Sequence, residues 1–321
     1  MTNVGIDIGK DSFDACFDKD NKRKYAQFRN SRAGMADFHK WMKQNGVQAA
    51  HLFMEATGRY GEDLARWAFD LGWQVTIMNP FRVRRFAESE GIYNKTDRVD
   101  SGCILDFSTS IQGKKLRLWK PRPASETELK EIIVELAGTE KMIGQVRNRS
   151  KSCIASGILL IHMQETIAFL KKKKEWLIKR ALEVIKKDDK LFQDFKTLKK
   201  IKGVGDKTAI VLLARIDFDA FSKGRQLVAY AGLAPKKFES GKSVRKKEVI
   251  SRVGHADLRA AIYLPAVVAM THNPDLAEYK RHLEQQGKPK KVIICAIMAR
   301  LLRTAFAMIR ESRREQLCKA A

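Results

Sequence analysis

Asn94-Lys95-Thr96-Asp97-Arg98-Val99-Asp100 sets two carboxylates three residues apart at what reads as the start of a helix. Thr96 is placed to cap it, and Val99, Cys103, Ile104 and Phe107 supply an apolar stripe behind. Residues three apart lie on one helical face, so Asp97 and Asp100 point into the same space. Like charges held that close repel unless a cation sits between them. Taken alone, the pair is better explained as an acidic first turn favoured by the helix dipole. Two further acids upstream shift that balance.

Upstream, Val4-Gly5-Ile6-Asp7-Ile8-Gly9-Lys10 is a short β-rich run with an acid in its middle. Residues 13–17 and 24–28 read as two more strands around the turn Asp18-Lys19-Asp20-Asn21, which predicts an antiparallel meander. A helix over 34–44 follows, then an apolar run, 49–54, ending at Glu55. A helix over 61–71 and a strand over 75–78 come next, and Asn79-Pro80 breaks the chain before the Asp97 helix. Three strands, helix, strand, helix, strand, helix is the order of the ribonuclease-H-like nucleases. It puts Asp7 on the central strand, Glu55 at the end of the fourth, and Asp97 and Asp100 on the last helix. A carboxylate in a central strand is costly unless paired or metal-bound. Four oxygen-donor acids suit the hard ions Mg2+ or Mn2+ rather than zinc, and two such ions can flank a phosphodiester.

The chain has 321 residues with 62 Lys plus Arg against 37 Asp plus Glu, a net charge of +25 that points to a polyanionic partner. Residues 1–110 carry 16 of the basic and 15 of the acidic side chains, so nearly all of the excess falls in 111–321. Five cysteines and six histidines show no paired spacing, which argues against a disulfide framework or a zinc site. No signal-peptide pattern is visible, and the longest apolar run, 260–270, is too short to span a bilayer. A soluble cytoplasmic protein is expected.

Further along, Lys120-Pro121-Arg122-Pro123 reads as a linker and 161–185 as a long helix. That helix and an earlier one, with Leu129, Ile132, Ile133, Leu136, Met142 and Ile143 as its stripe, suggest an antiparallel coiled coil for assembling protomers. Ile201-Lys202-Gly203-Val204-Gly205-Asp206-Lys207 has the helix-hairpin-helix pattern. Its glycines would let backbone approach phosphate; an ordinary αα turn is the alternative, and Lys199, Lys200, Lys202 and Lys207 around the turn favour the phosphate reading. Residues 218–233 read as helical. Residues 236–247, with Lys236, Lys237, Lys242 and Arg245, read as a basic loop against nucleic acid, and Arg252 and Arg259 as phosphate contacts or an exposed helix start. Helices are expected over 260–271, kinked at Pro265, and over 288–310, with a frayed tail.

Gly5-Ile6-Asp7, Met54-Glu55-Ala56-Thr57-Gly58, Asn79-Pro80 and the Asp97 stretch together resemble the DEDD-type insertion-sequence transposases, a bacterial family that includes the Piv site-specific DNA invertases. The resemblance implies an α/β RuvC-like domain over 1–115, a helical coiled-coil region over 116–195, and a mostly helical transposase domain over 196–321. It implies a four-acid Mg2+ site at Asp7, Glu55, Asp97 and Asp100, with Mn2+ as substitute. It also implies a serine nucleophile at Ser240, with Ser243 the alternative in register, that forms a phosphoseryl bond to DNA. Element-end and target DNA, a structured guide (bridge) RNA and a second or further copies of the chain (a dimer or tetramer) are the partners it implies. Two other readings stand beside it: a metal-only structure-specific nuclease, and a non-catalytic nucleic-acid-binding protein.

Overall fold

The computed structural model describes residues 1–56, 58, 60–93, 96–111, 116–152, 157–240 and 244–320, without the side chains of 237–248 and 319–320. Two compact units divide the chain, Met1–Arg122 and Pro123–Ala321.

The first unit opens with a meander, β1 (Thr2–Ile8), β2 (Ser12–Lys19) and β3 (Lys22–Arg29), then α1 (Arg32–Gln44), β4 (Ala50–Glu55), α2 (Glu62–Asp70), β5 (Gln74–Met78), α3 (Pro80–Ser89) and α4 (Asp97–Ser110). The sheet order is β3-β2-β1-β4-β5, antiparallel through the meander and parallel from β1 to β5. This matches the ribonuclease-H-like order expected. Alternation along the strands gives each face its own core. Val4, Ile6, Phe13, Phe17, Leu52 and Met54 pack against Phe38 and Met42 of α1 and Leu64 of α2. On the other face Phe53 and Met78 pack with Val83 of α3 and Cys103, Ile104 and Phe107 of α4. The segment after Asn79-Pro80 is a helix rather than a break. Asn79 caps it through Oδ1, accepting from Phe81 N–H at 2.9 Å, and Pro80 occupies its first turn.

Gly5 fixes how α4 lies on the sheet. A Cβ at this position would stand 2.2 Å from Ser101 O and 2.6 Å from Leu105 N, so only glycine lets the helix backbone come this close. Thr96 caps α4, its Oγ1 accepting from Val99 N–H at 3.3 Å. The direction of α4 follows from its neighbours. Asp106 pairs with Arg23 toward the start of β1, Gly102 lies against Tyr25 at the level of Gly5, and Arg98 sits 4.5 Å from the Tyr25 ring centroid. The helix therefore runs antiparallel to β1, with its first turn toward the end that carries Asp7.

In the second unit, α5 (Ala124–Ser152) and α6 (Gly157–Lys187) form an antiparallel pair, as the Glu128–Arg180 and Glu135–Lys173 bridges show. The proximal half of the pair shares one core with α7 (Asp189–Lys199), α8 (Asp206–Arg215), α9 (Gly224–Tyr230), α10 (Ala256–His272), α11 (Pro274–Gln285) and α12 (Lys290–Ala320), rather than standing apart from them. Ile143, Val146 and Leu170 make a small core of their own farther out. Three sequence expectations need correction. Residues 218–233 hold a 3-10 turn, Phe218–Ala220, and the short α9, because Asp217 and Lys223 each restart the chain. The basic stretch is no loop but a hairpin, β6 (Pro235–Ser240) and β7 (Val244–Ile250), with an irregularity between Lys236 and Phe238. The C-terminal tail stays helical through Ala320, since Arg313 is tied to buried Asp194 (Nε to Oδ1, 3.1 Å) and to Asp219. Residues 290–318 are also long and apolar enough to cross a membrane by length and composition. Their Ile293, Ile297, Leu301 and Ile309 are nevertheless core residues of this unit.

Gly5→Ala tests the seating of α4. Overpacking against helix backbone is expected to cost about 3 kcal/mol, read as earlier urea unfolding of the first unit. Trp41, Trp67 and Trp73 lie in that unit's core and report on it. An unchanged midpoint would contradict the close approach.

Candidate functional site

Strand register assembles the acids. Ile6 pairs with Met54, so one residue on Asp7 comes beside Glu55. On its other side Asp7 pairs with Asp14, Asp14 with Gln27, and Glu55 with Met78. One rung of the sheet thus reads Gln27, Asp14, Asp7, Glu55, Met78. Rung neighbours share a face and stand about 4.8 Å apart. This is the face of Gly5 and Phe53, the face that α4 covers, and the first turn of α4 brings Asp97 and Asp100 toward the same end. Cys103, one turn deeper, registers both sources of charge. Burial pushes its thiol up to about 11, helped by the carboxylates of Asp106, Asp100, Glu55 and Glu90.

Asp14 is the acid of this rung that sequence reading passed over. Its signal is the tight turn after β1, where Gly9 N–H donates to Ser12 O at 2.8 Å and so fixes which residues of β1 and β2 face one another. Gln27 Nε2 donates to Asp14 Oδ2 at 3.0 Å. Among the described residues no group of three or more His, Cys, Asp or Glu stands close enough to hold a metal ion. The convergence is one of backbone positions and of donor type. The donors are carboxylate oxygens throughout, the chemistry of a hard divalent cation.

The second unit carries the other sequence candidates. Ser240 ends β6 and pairs with Val244 across the hairpin; its side chain, with those of Lys237 and Arg245, is outside the description. Lys242 and Ser243 fall in 241–243, outside the described residues. Lys236 is exposed on β6. The hairpin is anchored at its base. Ser251 N–H donates to Ala234 O at 2.8 Å, Arg252 N–H to Gly232 O at 3.1 Å, and His255 N–H to Tyr230 O at 3.1 Å. Arg259 is part of this anchor, donating from Nη1 to Ala231 O at 2.9 Å. Arg252 is exposed and held at φ 55°, an uncommon conformation for a residue with a Cβ.

At the predicted helix-hairpin-helix the glycines have different employments. Gly203, at φ 98°, presses on α10, where a Cβ would stand 2.9 Å from both Pro265 O and Ala269 Cβ. Gly205 is the N-cap of α8, with open space where a Cβ would stand. Lys202 is exposed, whereas Lys207 donates to Glu140 at 2.6 Å and shares that carboxylate with Lys174. Burial alone would raise the Glu140 carboxyl, but hydrogen bonds from Lys174 and Lys207 outweigh it and hold it below the usual range. Lys199 is likewise paired, with Asp206 at 2.6 Å.

Known proteins match both units. Residues 4–156 fit a DEDD transposase family model of the IS110 type, and residues 195–281 fit the transposase IS116/IS110/IS902 family. The pilin gene-inverting protein of Moraxella bovis is 32% identical over 316 residues, covering 97% of both chains, and that of Moraxella lacunata is equally similar. The transposase for insertion sequence element IS1111A of Coxiella burnetii is 26% identical, over 84% of this chain and 78% of its own. The solved structure of T. thermophilus RuvC in complex with Holliday junction substrate aligns over 37% of this chain and 99% of its own, with a TM-score of 0.26 and 16% identity. At near-complete coverage and this identity, the chain belongs to the IS110-type DEDD transposase and DNA-invertase family and is an enzyme of DNA cutting and rejoining.

Proposed function

We propose that this chain is an insertion-sequence transposase or site-specific recombinase that exchanges DNA strands through a covalent bond to Ser240. The observation that carries the reading is the rung pairing Asp7 with Glu55 under the first turn of α4, in a chain that also bears Ser240 at the tip of a basic hairpin. In this reading Asp7, Glu55, Asp97 and Asp100 hold Mg2+, or Mn2+ in its place. Such an ion, when bound, neutralises charge on a phosphodiester and on its departing oxygen. The serine Oγ replaces one DNA oxygen on phosphorus, its proton passes to the departing oxygen, and a free hydroxyl end results. Attack by a hydroxyl of another strand reverses the step, so rejoining needs no outside energy source.

The remaining parts of the reading rest on charge and on the family. The basic excess beyond residue 110 suits a polyanion, read here as element-end and target DNA together with a structured, element-encoded guide RNA. The helix pair, with exposed Phe169 and Trp176 on α6, is read as the contact between copies of the chain in a dimer or tetramer. The site of action is the bacterial cytoplasm, at the nucleoid. For phosphate contact Lys202, Gly205, Lys236, Lys237, Lys242, Arg245 and Arg252 are the retained candidates. Gly203, Lys207 and Arg259 have structural partners, which favours a supporting role for them.

End-labelled element-junction DNA, Mg2+ and RNA transcribed from the flanking region test the chemistry. Wild-type protein is expected to yield a protein–DNA adduct that survives boiling in detergent, lost in Ser240→Ala and in Asp97→Ala. Free cleaved ends without adduct, unchanged in Ser240→Ala, would make this a metal-only nuclease. A second comparison separates grip from support. Lys202→Ala should lower DNA affinity a few-fold and reduce the slope of log affinity against log salt by about 1. Lys207→Ala should lower the melting temperature and leave that slope unchanged; the reverse pattern would contradict the assignment.

A further inference from the structure

We propose that the outward face of α3 is a docking surface for an unpaired DNA strand, which it delivers to the row of acids. The inference rests on the reading that those acids act on DNA.

Residues 1–110 nearly balance their charges, 16 basic against 15 acidic, yet α3 concentrates Arg82, Arg84 and Arg85 within four residues. Its position is set by the same rung that carries the acids. Met78 pairs with Glu55, and α3 begins two residues later. Val83, Phe86 and Ala87 turn inward onto the α4 side of the sheet, where they meet Met78, Cys103 and Phe107. That leaves Phe81, Arg84, Arg85 and Glu88 along the opposite side, spaced as one helical face. Phe81 is 46% exposed, and Arg85 lies 5.2 Å from its ring centroid. Tyr93 follows α3, four residues ahead of Asp97, and is 82% exposed. Phe81 therefore stands at the start of α3, three residues beyond Met78 of the acid rung, and Tyr93 on the segment between α3 and α4.

The chemistry selects the occupant. Guanidinium groups suit phosphate oxygens, and exposed rings suit bases that have left the helical stack. A duplex hides its base faces and would use only the arginines. Glu88 bears on the same surface. Its carboxylate lies 2.7 Å from Arg85 and 3.4 Å from Arg84, so it occupies both guanidiniums before a phosphate arrives. These pairs are solvent-exposed and therefore cheap to exchange. Glu88 then acts as a brake on binding, and removing its charge should strengthen the grip.

Photo-crosslinking on the full chain, in EDTA so that no cleavage is required, reads the surface directly. The probes are a short DNA strand bearing iodouracil, its duplex, and the RNA of the same sequence, with crosslinked residues mapped by mass spectrometry. Crosslinks at Phe81 or Tyr93 are expected with the single DNA strand and several-fold fewer with duplex. Phe81→Ala is expected to weaken this contact about tenfold, the Arg84→Ala/Arg85→Ala pair to reduce it, and Glu88→Gln to increase it. Crosslinks elsewhere in the chain should be unaffected. Tryptophan emission checks folding, and Glu88→Gln decides the matter should the arginine pair fail to fold. No crosslink on residues 80–93, equal yield with duplex, greater yield with RNA, or indifference to Glu88→Gln would overturn the proposal. Because the assay needs neither metal nor strand cleavage, its failure is distinguishable from failure of the acid chemistry.

Discussion

The contact of Gly5 with the backbone of Ser101 and Leu105 is the constraint on which the first unit depends. A side chain there would push α4 off β1 and carry its first turn, with Asp97 and Asp100, away from the end of the sheet that bears Asp7 and Glu55. Gly5 lies two residues before Asp7 on the same face of β1, the face that α4 covers. Hydrophobic packing of Phe53, Cys103, Ile104 and Phe107 supplies the driving force, while the missing Cβ supplies the distance.

Much of this unit was legible in the sequence because its determinants are local. Alternation marks the strands, Thr96 marks the start of α4, and the element order alone suggests which acids share an end of the sheet. Asp14 was missed because its place in the rung is defined by a cross-strand partner, although the tight turn beside it was readable. In α3 the signals were present and misweighted. Asn79-Pro80 looks like a chain break, yet asparagine before proline is equally a helix cap and first residue.

The second unit was less legible because its determinants are distant in sequence. Composition made 236–247 look like a loop. The stretch pairs as a hairpin on a base anchored by Gly232, Arg252 and Arg259, contacts that no window around Ser240 contains. Arg313 meets Asp194 across 119 positions, and so a tail that reads as frayed is held as helix. At the predicted helix-hairpin-helix the spacing is local in sequence, but the partners of two of its members are not. Gly203 faces α10 and Lys207 faces Glu140. Motif spacing identifies the turn; only the surrounding helices decide which side of it meets solvent.

Convergence of Asp7, Glu55, Asp97 and Asp100 on one divalent ion is the central claim, and Mn2+ binding followed by electron paramagnetic resonance tests it most directly. Saturable binding to the full chain is predicted, lost in Asp7→Asn and in Asp97→Asn, and competed by Mg2+. Binding that is equally strong in both variants, or no saturable binding in a folded wild-type chain, would contradict the account.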